Sequence, residues 1–203
     1  TLSAELNKQN WDGSLVSTKE DYLYVVNANV GGTKSNYYVE EEMGYTVSSK
    51  TRDGLLRGQL ELTYNHTGED ESWPGGPYKN YVRVIAHKGS KLTGASYTKG
   101  DGTTEDIFEN VTISEIGKYA SYEYLIEINP QETAQLTFSY DLPESLSITK
   151  ENMDYKLYWQ KQPGTQNDLV SFTFEPPFGT TTVDETEIET ELNTDKEFKI
   201  DLK

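Results

Sequence analysis

His66 and His87 are the two histidines of this 203-residue chain, and it has no cysteine. That inventory limits the chemistry at once. A Ser-His-Asp triad needs an imidazole held beside an activated hydroxyl, and no G-x-S-x-G elbow occurs. The H-E-x-x-H, Walker and dinucleotide fingerprints are missing as well. His66, in a loop, and His87, at a strand end, read as solvated surface residues. Without cysteine there are no disulfides, thiol nucleophiles or zinc–thiolate sites. Carboxylate chemistry remains, because the chain carries 34 Asp and Glu. A glycosidase needs two carboxyls ~5–10 Å apart across a cleft, and with so many acids the sequence does not single out a pair.

Calcium is the one cofactor these oxygens invite, since hard cations prefer carboxylates in flexible loops. The two stretches with that look are Gly68-Glu69-Asp70-Glu71 and Asp101-Gly102-Thr103-Thr104-Glu105-Asp106. Neither has the spaced D-x-[DN]-x-[DN]-G pattern with its distal glutamate, so both read as solvated turns. Trp73, beside Pro74-Gly75-Gly76 and close to Tyr78, offers an aromatic platform on which the C–H face of a pyranose could stack. A second candidate patch combines amides and an ammonium: Asn29, Gly31, Gly32 and Lys34. Its structural reading is that Asn29 bonds the loop backbone while the glycines take positive φ. The candidate binding residues are therefore Trp73, Tyr78, Asn29, Gly31, Gly32 and Lys34. No catalytic and no metal-ligating residue is assigned.

With 18 Lys and Arg against those 34 acids, the net charge is −16. Such a field repels phosphate backbones and anionic headgroups, which argues against nucleic acid and against membrane contact by this fragment. No apolar run approaches the ~20 residues of a spanning helix. The starting residue Thr1 and the missing signal read as a fragment whose anchor lies elsewhere.

The elements that must carry these residues are strands. Tyr22 to Val26 and Tyr37 to Val47 flank the polar segment Asn27 to Asn36, and the Gly31-Gly32 pair predicts an antiparallel hairpin. Leu60, Leu62 and Tyr64 alternate with polar neighbours, as do Tyr122 to Ile128, Ala134 to Tyr140, Tyr155 to Trp159 and Val170 to Phe174. Tyr78 to Ile85 is apolar on both faces, as befits a central strand, and Phe198, Ile200 and Leu202 form a last edge strand. About ten to twelve short strands predict an all-β antiparallel sandwich, immunoglobulin-like or jelly-roll-like, over residues 21–203. Residues 1–20 read as a connector from an upstream domain, helical over Thr1 to Gln9. A weak boundary near 143–152 leaves two tandem small sandwiches as the alternative.

Several phrases resemble the signature of a bacterial envelope family known only as a domain of unknown function, series number four-thousand-and-twelve. YLYVVNANVGGTKSNYYVE, with Trp11-Asp12-Gly13 just upstream, is similar to its first block. Tyr78-Lys79-Asn80-Tyr81-Val82-Arg83-Val84 followed by Lys88-Gly89-Ser90 is similar to its second, with His87 standing where that family usually has proline. Leu136 to Pro143 and Tyr155 to Thr165 are similar to its later strands. The resemblance implies the all-β part of a membrane-anchored protein at a bacterial cell surface, and it brings no activity or site residues. The expectation is thus a non-catalytic extracellular module that presents loops to a cell-wall polymer, glycan or protein. A carbohydrate-active enzyme with a carboxylate pair and a purely structural spacer are the alternatives.

Overall fold

The computed structural model describes residues 12–50, 54–69 and 72–203. Thirteen strands appear among them: β1 (Asp21–Asn29), β2 (Val39–Ser49), β3 (Leu56–His66), β4 (Tyr78–Ala86), β5 (Lys91–Thr98), β6 (Thr104–Asp106), β7 (Thr112–Ile116), β8 (Tyr119–Ile128), β9 (Thr133–Asp141), β10 (Asp154–Gln160), β11 (Asp168–Glu175), β12 (Glu187–Leu192) and β13 (Lys196–Asp201). The helical content of the described residues is three single turns of 3₁₀ helix, at Ser35–Tyr38, Phe108–Asn110 and Glu144–Leu146. The helix expected over Thr1 to Gln9 lies outside the described residues.

The strands form two sheets packed as a sandwich. One has the order β13-β10-β1-β4-β8-β7 and the other β12-β11-β2-β3-β9-β5-β6. The expected hairpin between the first two strands is absent: β1 pairs with β4 and β10, while β2 pairs with β3 and β11 in the opposite sheet. The reason lies in β1 itself. Asp21 to Val25 are buried on both faces, which requires a central strand covered on both sides. The glycine-bearing segment therefore carries the chain from one sheet to the other instead of turning it back. Strands β10 and β11 then fall beside β1 and β2 in parallel, with Leu23 opposite Trp159 and Val47 opposite Phe174. They extend the existing sheets and build none of their own.

Period-two alternation sends Leu60, Leu62, Leu136, Phe138, Phe172, Leu157 and Trp159 into the space between the sheets, where none has measurable exposure. Aromatic contacts knit this core, including the Tyr155–Phe174 and Phe172–Phe198 pairs with ring centroids 4.9 Å apart. An acid is buried with them. Asp21 accepts hydrogen bonds from the Tyr45 hydroxyl (2.8 Å), the Tyr155 hydroxyl and the Tyr22 N–H. A smaller cluster of Tyr22, Tyr24, Ile85 and Tyr119 occupies the outer face of the first sheet, against Leu15 and Val16. Gln160 holds this incoming segment in place: its Nε2 donates to Ser14 O, and its Oε1 accepts from Val16 N.

Candidate functional site

At one end of the sandwich the inward-facing positions change from apolar to polar. Continuing the inward phase of Leu23 and Val25 along β1 gives Asn27. The same phase on β2, read back from Tyr45 and Met43, gives Glu41. On β3 it leads from Leu62 to Tyr64, and on β11 it leads back from Val170 to Asp168. These strand ends, with Tyr78 of β4 and the 162–166 loop, line a pocket of about 310 Å³. Asn29, Asn36 and Tyr37 close its other side.

The floor is a fixed network. The Asn27 carbonyl Oδ1 accepts from the Tyr64 hydroxyl (2.9 Å) and from Asn80 Nδ2 (2.6 Å). Those two donors orient the amide so that Asn27 Nδ2 donates to Glu41 Oε2 at 2.7 Å. The Asn27 backbone is clamped as well, its N–H donating to Gln162 Oε1 and its carbonyl accepting from Gln162 Nε2. The other carboxylate oxygen, Glu41 Oε1, is buried and has no hydrogen-bond partner.

Burial and then the charge of nearby Asp168 push the Glu41 carboxyl up to about 8, with hydrogen bonding pulling it only partly back. Asp168 is itself raised by burial, an effect that Lys161 opposes. The Lys161 ammonium does not reach the pocket directly. Its three hydrogens go to Gln162 O, Thr165 O and Thr165 Oγ1, and burial lowers its affinity for a proton. Burial, followed by the charges of Glu41 and Asp168, makes Tyr78 harder to ionise than a free tyrosine. The pocket thus presents two acids that burial makes reluctant to ionise, Glu41 the more so, together with amides and phenols.

Of the residues singled out in the sequence, Asn29 and Tyr78 line this pocket. Asn29 also locks the neighbouring loop, as its structural reading expects: Oδ1 accepts from Gly31 N, and Nδ2 donates to Thr33 O and Asn36 Oδ1. Gly32 takes φ +72°, while Gly31 does not enter the positive-φ region. Lys34 is exposed, and its backbone N–H donates to Pro74 O, which ties the Trp73 loop against this one. Trp73 itself is 75% exposed and stands outside the pocket lining. His66 is not a solvated residue. It has no measurable exposure, its Nε2 meets Gly76 O at 2.9 Å, and its Nδ1 accepts from Gly68 N. The 72–77 loop folds over the end of β3 and buries the ring. The sequence does not single out Glu41, Asp168, Asn27 and Tyr64 as site residues, although all four lie in the inward phase of their strands. In the loop weighed for calcium, Asp101 caps Thr103 N and Glu105 pairs with Lys99. Among the described residues no group of three or more acids or histidines gathers as metal ligands would.

No family model matches the sequence, and no curated protein matches it. The likeness that exists is to solved structures. A Legionella pneumophila protein titled as a nutrient binding protein matches with a TM-score of 0.50 and 8% identity, over 90% of this chain and 70% of that one. The M1 zinc metallopeptidase of Deinococcus radiodurans matches at 0.32 and 14%, over 80% of this chain and 38% of its own. Native leukotriene A4 hydrolase of Saccharomyces cerevisiae matches at 0.39 and 6%, over 86% and 31% respectively. The first likeness shows a shared sandwich architecture and nothing about a ligand, because function resides in the site and not in the fold. The other two carry no argument. This chain spans well under half of both enzymes.

Proposed function

We propose that the chain is a non-catalytic, extracellular binding module of a bacterial envelope protein, and that its strand-end pocket takes a glycan or cell-wall polymer segment. One observation carries the reading: a pocket of about 310 Å³ lined by two carboxyls, the amides of Asn36 and Gln166 and the rings of Tyr37, Tyr64 and Tyr78. Amides and acids match the hydroxyls of a sugar, and the exposed ring of Tyr37 matches its C–H face. The sandwich supplies a rigid mount, and exposed Trp73 on the adjoining loop would extend contact along a polymer. The cell-surface setting rests on the sequence resemblance.

The Glu41–Asp168 arrangement favours one second reading. Two acids in one pocket, one of them kept protonated near neutrality, are the groups that glycoside hydrolysis uses. A glycan array combined with a polysaccharide-hydrolysis assay on the purified chain separates the two. Retention without turnover, weakened by Asn36→Ala and Tyr37→Ala, supports the binding module. Turnover abolished by Glu41→Gln or Asp168→Asn supports the enzyme. Neither retention nor turnover leaves the spacer.

A further inference from the structure

Building on the glycan reading, we infer that the sugar unit seated in the pocket is a hexosamine with a free ammonium, held between Glu41 and Asp168.

The argument is one of unmatched charge. Two carboxyls line the same small pocket, and no Lys or Arg lines it among the described residues. The nearest cation, Lys161, is committed to Gln162 O and to both Thr165 oxygens, so it acts on Asp168 only through space. Two other partly buried acids do have cations: Asp141 meets Lys50 and Arg57, and Glu123 meets Arg83 as well as three hydroxyls. At Glu41 a single amide hydrogen reaches one oxygen, and the other is buried with no donor. A carboxyl that stays neutral for want of a counter-charge ionises when a cation settles beside it, so this pocket is complementary to an ammonium. Asn36 and Gln166 add amides suited to hydroxyls to the same lining, which distinguishes a hexosamine from a bare alkylamine.

The groups that face Glu41 are Asp168 from β11, Tyr64 from β3, Tyr78 from β4 and, behind Asp168, Lys161. In the empty pocket Glu41 is protonated at pH 6. An arriving ammonium stabilises its carboxylate, so binding releases that proton to solvent. No other bond changes.

Isothermal titration of the full chain at pH 6 compares chitotetraose, its fully de-N-acetylated counterpart and cadaverine. Repeating the titration in two buffers of different ionisation enthalpy counts the released protons. The expected result is at least tenfold tighter binding of the de-N-acetylated tetramer over chitotetraose, with close to one proton released. Both features should be lost in Glu41→Gln/Asp168→Asn. Equal or tighter binding of chitotetraose overturns the ammonium claim while leaving the glycan reading intact. Cadaverine binding as tightly as the amino sugar overturns the hexosamine. Failure of both tetramers and of every glycan on the array removes the glycan reading itself. The proton count on the unaltered chain decides the matter even if the double variant does not fold.

Discussion

Asp21 and Glu41 are both acids on the inward side of a strand, and their surroundings differ in one respect. Asp21 sits where the Tyr45 and Tyr155 hydroxyls and the Tyr22 N–H converge, so its oxygens are supplied from within the fold. Glu41 receives one amide hydrogen, has the Tyr64 hydroxyl close by, and keeps one oxygen without a hydrogen-bond partner. Burial raises both carboxyls, so desolvation does not distinguish them. Their partners do. An acid whose acceptors are filled by its own chain belongs to the architecture, whereas one left short in the floor of a pocket is suited to something from outside.

The most severe way to test this contrast is a carboxylate with no donors at all. Leu136→Asp puts one in the centre of the second sheet, at a position with no exposure. It should cost several kcal/mol and prevent folding, and circular dichroism melts will show whether a cooperative transition survives. Asp21→Ala comes next. It leaves the Tyr45 and Tyr155 hydroxyls buried without an acceptor, for a loss of about 3 kcal/mol measurable by urea denaturation. Gly32→Val, in the loop beside the pocket, meets no atom within 4 Å of the new Cβ. It should therefore cost only the strain of a β-branched residue at positive φ, about 1–2 kcal/mol, with the strand core unaffected; unchanged stability would argue against that backbone geometry.

Glu41→Gln should have the smallest effect. At pH 5 an amide replaces an acid that is already neutral, so stability should change by less than about 1 kcal/mol. Its signature is in the pH profile. The folded chain holds a proton that the unfolded chain releases between the ordinary glutamate value of 4.5 and about 8. This contribution is fully present below 4.5 and is lost as pH rises towards 8, at no more than about 1.4 kcal/mol per unit. Denaturant midpoints from pH 4.5 to 9 should fall less steeply in Glu41→Gln than in the parent. Identical slopes would mean that Glu41 ionises normally in the fold.

The strands were legible because alternation is local. Tyr122 to Ile128, Ala134 to Tyr140 and Tyr155 to Trp159 each announce themselves within seven residues. Partner choice is not local, and the Gly31-Gly32 segment illustrates this. Paired glycines permit a tight turn but do not compel one, and the two-sided burial of Tyr22 to Val25 overrode the hairpin. His66 reads as solvated from the sequence because the loop that closes over it, supplying Gly76 O, lies ten residues further along. Glu41 was hidden by its neighbours. In the run Glu40-Glu41-Glu42 all three look like solvated charge, yet only the middle one shares the phase of Met43, Tyr45 and Val47. Asp168 precedes Val170, Phe172 and Phe174 in the same manner. An acid in step with a strand's apolar residues was a readable signal. Which ends of which strands would meet was not.

The parallel placement of β10 against β1 and of β11 against β2 has a bearing on synthesis. Residues separated by more than a hundred positions must find each other before either early strand is covered on both sides, and such distant pairings slow folding. On the ribosome, β1 and β2 would stand with raw borders until Asp154 to Glu175 had left the exit tunnel. A nascent chain stalled before that point should be an avid client for chaperones, and one stalled beyond it should resist a protease.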